Sequence, residues 1–166
     1  MAAARGRKAP LRRAIQAALR TGASGARLDE ALLQLIPFTG YARAINAFAL
    51  LRELVPHAAR TGGRQGGLRR RGEALCRRIY GPVYRKMISR MRRFHPDLAD
   101  WILQDGYGKV LSRPILSIRE RELLVVAVLG TLNVPAQLKS HRLGARRVGA
   151  SSAQVAAMLR VSRARR

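Results

Sequence analysis

The sequence is poor in cysteine, in aromatic residues and in long apolar runs. Its one cysteine, Cys76, excludes an internal disulfide and suits a reducing compartment. No apolar run reaches the ~18 residues that span a bilayer, so we predict no transmembrane helix and no membrane partner. Only 5% of the 166 residues are aromatic, whereas 48% are hydrophobic, with many Ala and Leu. This composition predicts a globular all-α fold.

Acidic residues are also scarce, since 33 Lys and Arg stand against 9 Asp and Glu and give a net charge of +24. Such a field attracts polyanions, so nucleic acid is one candidate partner. The sequence contains no zinc-knuckle spacing, no aromatic ribonucleoprotein motif and no glycine-rich phosphate loop, and its aromatic residues are not interleaved with the basic runs. Because 29 of the cations are Arg and 4 are Lys, we favour a solvated arginine surface over a dedicated nucleic-acid site.

Two segments near the ends of the chain are related by a shift of 127 residues, which places residues 20–24 (Arg-Thr-Gly-Ala-Ser) on residues 147–151 (Arg-Val-Gly-Ala-Ser). The first copy has Ala14 and Pro10 where the second has His141 and Gln137, so it cannot share a chemistry that needs the latter pair. We predict an N-terminal half-unit at residues 1–55, a Gly/Arg-rich linker at 56–72 and a C-terminal half-unit at 73–166.

Turn and capping residues divide the chain into helices. We predict helices at residues 9–21, 26–36, 41–55 and 73–93, the last broken at Gly81-Pro82, and a helix that carries Trp101 and ends at Asp105-Gly106. Ser117 and Glu120 predict a capping box before a helix that is buried all round, and Ser151 with Gln154 repeats the device.

Glu122 and His141 are the pair best suited to carry chemistry. A short turn at residues 133–135 joins their two predicted helices and would bring a carboxylate against an imidazole, a combination that moves protons. Gln137 lies four residues before His141 and therefore on the same helix face. The alternative for Glu122 is stabilisation by the helix dipole in a first turn, and the alternative for His141 is a structural role.

The segments that begin at Glu122, Gln137 and Gly149 resemble the carboxymuconolactone decarboxylase family and its alkylhydroperoxidase relatives. A second patch, residues 32–48, is similar to the segment that in this family lies downstream of the histidine helix; its matching residues are Phe38, Gly40, Tyr41 and Asn46. We expect the apolar members to pack in the core and Gly40 to serve a tight turn. The resemblance implies a helical bundle, assembly into oligomers, and catalytic roles for Glu122 and His141.

Cysteine chemistry separates the two branches of this family. In the alkylhydroperoxidase motif a Cys-x-x-Cys pair lies between the Glu and the His, whereas this chain has Val134 and Gln137 at those positions and a lone Cys76 elsewhere. We therefore predict no peroxide reduction. The decarboxylase branch needs no cysteine but usually carries Glu where this chain has Gln137, which can orient a substrate carbonyl or carboxylate but cannot transfer a proton.

Three function classes follow. The first is a cysteine-independent acid–base lyase on a small carboxylated or lactone substrate, with Glu122 and His141 catalytic, Gln137 substrate-binding, and neither cofactor nor metal. The second is a non-catalytic assembly module, and the third is a polyanion-binding protein. We expect a cytoplasmic homo-oligomer, most simply a dimer with an apolar interface centred on residues 32–51. His57 and His95 belong to no constellation and predict no metal site.

Overall fold

The computed structural model describes residues 1–57, 62–63 and 66–163, and the regular secondary structure of these residues is helical throughout. The elements in chain order are α1 (Lys8–Arg20), α2 (Gly25–Leu33), α3 (Ile36–Leu54), α4 (Leu68–Tyr80), a 3₁₀ turn (Gly81–Val83), α5 (Tyr84–Phe94), α6 (Leu98–Trp101), a π-helix (Ile102–Leu111), α7 (Ile118–Leu132), α8 (Pro135–Arg147) and α9 (Ser152–Arg163). The all-α prediction is confirmed. None of these helices is both long and apolar enough to cross a membrane.

The central element is α7. Its start is fixed by the predicted capping box, in which the backbone N–H of Ser117 donates to the Glu120 carboxylate at 2.8 Å and that of Glu120 donates to the Ser117 hydroxyl. Both α8 and α9 pack along α7. Residues 125–129 of α7 are consequently all buried, which explains why the sequence from 123 to 129 is apolar on every side of the helix.

The two segments related by the shift of 127 residues fold alike. Helices α1 and α8 each have 13 residues, and each is followed by a glycine in the left-handed region, with φ 88° at Gly22 and 94° at Gly149. Ser24 and Ser151 then cap the next helix through their side-chain oxygens. Equal local sequence thus gives equal turn geometry, while the wider division into two half-units remains a prediction.

The N-terminal helices pack against α7 of the same chain. Their shared core contains Leu11, Ile15, Leu32, Leu35, Leu50 and Leu51 together with Val128 of α7. Seven residues of the segment 32–51, which we expected at the centre of a dimer interface, are buried within the chain. Tyr41 and Ile45 are the large apolar side chains of this segment that remain exposed, at 69% and 62%.

Three boundaries differ by five residues or more from those predicted. Helix α4 begins at Leu68, so the last five residues of the predicted linker 56–72 are helical, while residues 58–61 and 64–65 of that linker lie outside the described residues. Helix α3 begins at Ile36, but Gly40 interrupts it with φ 76°, so the helix predicted from Tyr41 is its second part. The break between α4 and α5 at Gly81-Pro82 is present as the 3₁₀ turn.

The third difference is the π-helix, which carries the chain past Asp105-Gly106, where we expected a helix to end. This helix packs directly on α4. A Cβ atom added to Gly72 would overlap the carbonyl of Leu103, and one added to Gly108 would overlap the carbonyl of Leu68. Close packing between the two backbones thus holds a glycine-containing segment helical, which local turn chemistry alone does not predict.

Candidate functional site

Glu122 and His141 lie against each other where α7 packs on α8. The imidazole Nδ1 is 3.0 Å from the carboxylate Oε2, and the two residues are 6% and 0% exposed, respectively. The turn between the helices, in which Asn133 adopts a left-handed conformation with φ 57°, folds α8 back along α7. Residues 19 positions apart in sequence are brought into contact in this way.

The surroundings of Glu122 differ from those of an ordinary N-terminal carboxylate. It is the fifth residue of α7, whereas Glu120 is the acidic residue of the first turn. Stabilisation by the helix dipole therefore applies to Glu120 rather than to Glu122. The Oε1 atom of Glu122 is buried and has no hydrogen-bond partner among the described residues. A Cβ added to Gly144 would lie 2.8 Å from Oε2; a glycine at this point gives the carboxylate its space. Compensation for burying the Glu122 charge thus depends on His141.

Two tyrosines that we did not predict extend the site. The Tyr80 hydroxyl, at the end of α4, lies 3.4 Å from the Nε2 atom of His141, and Tyr107 of the π-helix donates to the Tyr80 hydroxyl at 3.0 Å. Burial raises the pKa of both phenols. Both groups therefore remain neutral hydroxyls near pH 7. Tyr80 is 61 residues from His141 in sequence, a separation that carries no spacing signal.

When the imidazole of His141 is neutral, its hydrogen-bond partners determine which ring nitrogen carries the proton. A carboxylate can only accept, so Nδ1 carries the proton toward Glu122 and Nε2 keeps its lone pair. Tyr107 donates to Tyr80, Tyr80 is oriented to donate to Nε2, and Nδ1–H donates to Glu122. This chain of donors leaves Nε2 as the atom that can take or give a proton.

A cavity of about 1020 Å³ opens beside His141, between the start of α3, α5, the π-helix and α8. Gln137, the predicted substrate-binding residue, lines it together with His141 and Tyr80, while Glu122 lies behind the imidazole. Phe38 packs edge-on against the His141 ring, with 6.4 Å between ring centroids. The segment around Phe38 thus reaches the same site as the Glu122–His141 pair, from far away in sequence.

The remaining candidates lie outside this chemistry. Cys76 is buried, and burial raises the pKa of its thiol to about 12, so it has no nucleophilic thiolate at neutral pH. His95 accepts a hydrogen bond from the Asp97 backbone N–H on the surface, and His57 is exposed. In the part of the chain that the structure describes, no group of three or more His, Cys, Asp or Glu side chains could hold a metal ion.

A second buried carboxylate, Glu30 of α2, lies in a separate polar cluster that we did not predict. It pairs with Arg113 at 2.6 Å and with Arg121 of α7 at 2.8 Å. Gln34 donates to the Arg121 carbonyl at 2.9 Å and accepts from its guanidinium at 3.1 Å. The cluster ties α2 to the start of α7.

Comparison with known proteins places Glu122, Gln137 and His141 within a family domain. Residues 96–165 match the model of the carboxymuconolactone decarboxylase family. The chain is 32% identical over 135 residues to Peroxisomal protein 2 of Schizosaccharomyces pombe. The aligned segment covers 78% of this chain and 63% of that protein. The chain is 27% identical over 164 residues to Peroxisomal protein 2 of Saccharomyces cerevisiae, covering 80% and 58%. The chain thus spans less than two thirds of the length of these relatives. No solved structure is significantly similar to it.

Proposed function

We propose that this chain, whose residues 96–165 match the model of the carboxymuconolactone decarboxylase family, is a cysteine-independent acid–base catalyst acting on a carboxylated or lactone substrate. The observation that carries the proposal is the hydrogen-bonded pair of Glu122 and His141, whose imidazole borders the cavity. The name that the two relatives share specifies no reaction, so the chemistry follows from the site.

In the proposed decarboxylation, His141 begins as an imidazolium that is stabilised by the Glu122 carboxylate. The bond between the substrate carboxylate and its neighbouring carbon breaks, CO₂ leaves, and the electron pair passes to a conjugated carbonyl oxygen as an enolate. Tyr80 donates a hydrogen bond to that oxygen. The enolate carbon then takes the proton from Nε2. Water returns a proton to the imidazole, and the hydroxide left behind combines with the released CO₂ as bicarbonate.

Gln137 fits the role of a positioning residue in this scheme. It lies one turn before His141 on α8 and lines the same cavity. Its amide N–H group can donate to a substrate carbonyl or carboxylate, while the lack of a titrating proton leaves acid–base work to the imidazole. Orientation of the scissile bond by such a group accelerates the reaction without a second acid.

Two readouts test this function, CO₂ release and solvent deuterium incorporation, measured by NMR on a panel of β-keto acids and carboxylated lactones. We expect wild-type turnover, and a loss of about 100-fold or more in His141→Gln, because glutamine cannot exchange the proton. His95→Gln, a matched change of an exposed histidine outside the site, should leave the rate unchanged. Absence of wild-type turnover over the whole panel, or equal rates in the two variants, would refute the proposal.

The same reasoning predicts that the protein does not reduce hydroperoxides with dithiol donors. Val134 and Gln137 stand where the redox cysteines would be, and the Cys76 thiol, whose pKa is raised to about 12, stays protonated. We expect peroxide consumption equal to that of a protein-free blank. Robust consumption that persists in Cys76→Ser would show that this exclusion is mistaken.

Assembly and location can both be measured directly. We propose a homo-oligomer that uses Ile45, an apolar side chain left exposed on α3, because the +24 charge disfavours contact between arginine-rich faces. Light scattering of wild type and Ile45→Glu at micromolar concentration tests it, and a strictly monomeric wild type would contradict it. The cytoplasmic location stays a prediction, and the relatives' names make the peroxisome the location to test against it.

A further inference from the structure

We propose that the cavity beside His141 binds an anionic amphiphile, namely a carboxylate whose long apolar body runs along α5 toward Phe94 and Trp101. The inference rests on the proposed function for placing the reactive end at His141. It deepens that function by naming the substrate class, a long-chain carboxylate in place of a small lactone.

The first support is the length of the cavity. Val83, just before α5, and Phe94, its last residue, both line the cavity. Tyr80, the hydrogen-bond partner of His141, lies next to the Val83 end. Helix α5 has 11 residues and is therefore about 16 Å long. A ligand whose carboxylate lies at His141 needs an extended body to reach the other end, and about 1020 Å³ is available for it.

The second support is the apolar lining. Met87 and Met91 of α5 form one wall, and methionine side chains adapt readily to flexible apolar ligands. At the far end, Phe94 and Trp101 are 62% and 61% exposed. Two large aromatic side chains that border one cavity and remain in water form an apolar patch of the kind that marks binding sites.

The third support is charge complementarity. Lys86 and Arg90 line the cavity on successive turns of α5, and neither has a carboxylate partner among the described residues; Arg90 instead stacks on Phe94 at 5.3 Å. Lys86 lies three residues after Val83, toward the His141 end. Two uncompensated cations beside an apolar cavity favour an anionic head group. They disfavour a second copy of this chain, which would bring like charges together.

Trp101 is the only tryptophan of the chain and provides the probe. Its emission is followed during titration with dodecanoate, hexanoate and dodecyltrimethylammonium, each below its micellar concentration. We expect saturable binding of dodecanoate with a Kd at least about tenfold below that of hexanoate, because each additional buried methylene contributes to binding. The cationic amphiphile should bind at least about tenfold more weakly than dodecanoate.

Paired variants separate local from global charge. The double variant Lys86→Glu/Arg90→Glu should raise the Kd for dodecanoate about tenfold or more and remove the preference for the anion. The matched control Arg85→Glu/Arg92→Glu changes two exposed cations of the same helix that do not line the cavity, and it should bind as wild type does. Met91→Glu should abolish the preference for the longer chain.

Equal Kd values for hexanoate and dodecanoate, or equal effects of the two double variants, would overturn the proposal. A second result would also overturn it: the wild type does not bind dodecanoate, and the substitution Met91→Glu changes the molar mass of the protein. A second copy of this chain would then be the occupant of the cavity. Binding and turnover are measured side by side on the wild type. Binding without any turnover would therefore refute the acid–base function alone, whereas turnover of short acids without chain-length preference would refute this inference alone.

Discussion

The two fully buried carboxylates, Glu30 and Glu122, are both 0% exposed but have opposite surroundings. Two arginines hold Glu30, at 2.6 and 2.8 Å, and these cations keep their charge at any pH that the fold tolerates. Glu122 is held by one imidazole at 3.0 Å, and its second oxygen has no hydrogen-bond partner among the described residues.

This difference separates a structural carboxylate from one suited to chemistry. Arginine cannot give up its proton in a protein, so the cations opposite Glu30 keep their charge and serve to hold helices together. An imidazole can take up or release a proton, so the charge opposite Glu122 can change during a reaction. The cavity reaches His141, the partner of Glu122, while Glu30 lies in the contact between α2 and α7.

The largest effect is expected from Glu30→Gln. It leaves Arg121, which is 2% exposed, without its carboxylate. Breaking a buried ion pair by removing one partner costs about 3–5 kcal/mol, and urea denaturation should show a loss of that size. Glu53→Gln, which removes an exposed partner of Arg12, should cost less than about 1 kcal/mol. Equal losses in the two variants would mean that the Glu30 cluster does not stabilise the fold.

A smaller effect, on turnover rather than on stability, is expected from Glu122→Gln. The amide oxygen can still accept from Nδ1, but the imidazolium loses its counter-charge. A hydrogen bond to a charged group contributes about 1.5–3 kcal/mol, so turnover should fall roughly 10- to 100-fold.

The stability of Glu122→Gln completes the contrast between the two carboxylates. The variant removes a buried charge that has one unpaired oxygen, so its free energy of unfolding should stay within about 1 kcal/mol of wild type. Parallel denaturation and CO₂-release assays measure both quantities. A stability loss as large as that of Glu30→Gln, with turnover intact, would assign Glu122 a structural role.

Local signals in the sequence were sufficient for much of the fold. The capping box at Ser117 and Glu120 and the break at Gly81-Pro82 depend on neighbouring residues, and both are present. The π-helix was missed because Gly106 favours a helix end locally, whereas the packing of Gly108 and Gly72 between α4 and the π-helix depends on residues far apart. Tertiary contacts decided that boundary.

The site also has parts that local sequence predicts and parts that only tertiary contacts determine. The contact between Glu122 and His141 was predictable because one short turn joins their helices. The tyrosines and the Glu30 cluster were not, since their partners lie 27 to 91 residues away in sequence and no periodicity relates them. Phe38 was singled out only because it matches the family's second patch. Its edge-on contact with the His141 ring joins the first part of α3 to α8.

The smallest expected effect concerns a third carboxylate, Glu120, which is partly exposed. Hydrogen bonds from the Ser117 hydroxyl and backbone, and then the ion pair with Arg27, lower the pKa of Glu120 from 4.5 to about 2. The folded state thus favours the ionised form, so this stabilisation is present above pH 4.5 and is lost as the pH falls toward 2. Urea denaturation of wild type and Glu120→Gln at pH 6, 3.5 and 2 measures it.

Glutamine keeps the capping geometry and removes only the charge, as the second capping box shows naturally, where the Ser151 N–H donates to Gln154 at 2.9 Å. The stability difference between wild type and Glu120→Gln should therefore be greatest at pH 6 and should vanish near pH 2. Gln154→Ala, which removes an uncharged cap, should cost the same at all three pH values. A pH-independent difference for Glu120→Gln would mean that hydrogen bonding alone stabilises the start of α7, and that Glu120, like Glu30, is a structural carboxylate without a titrating role.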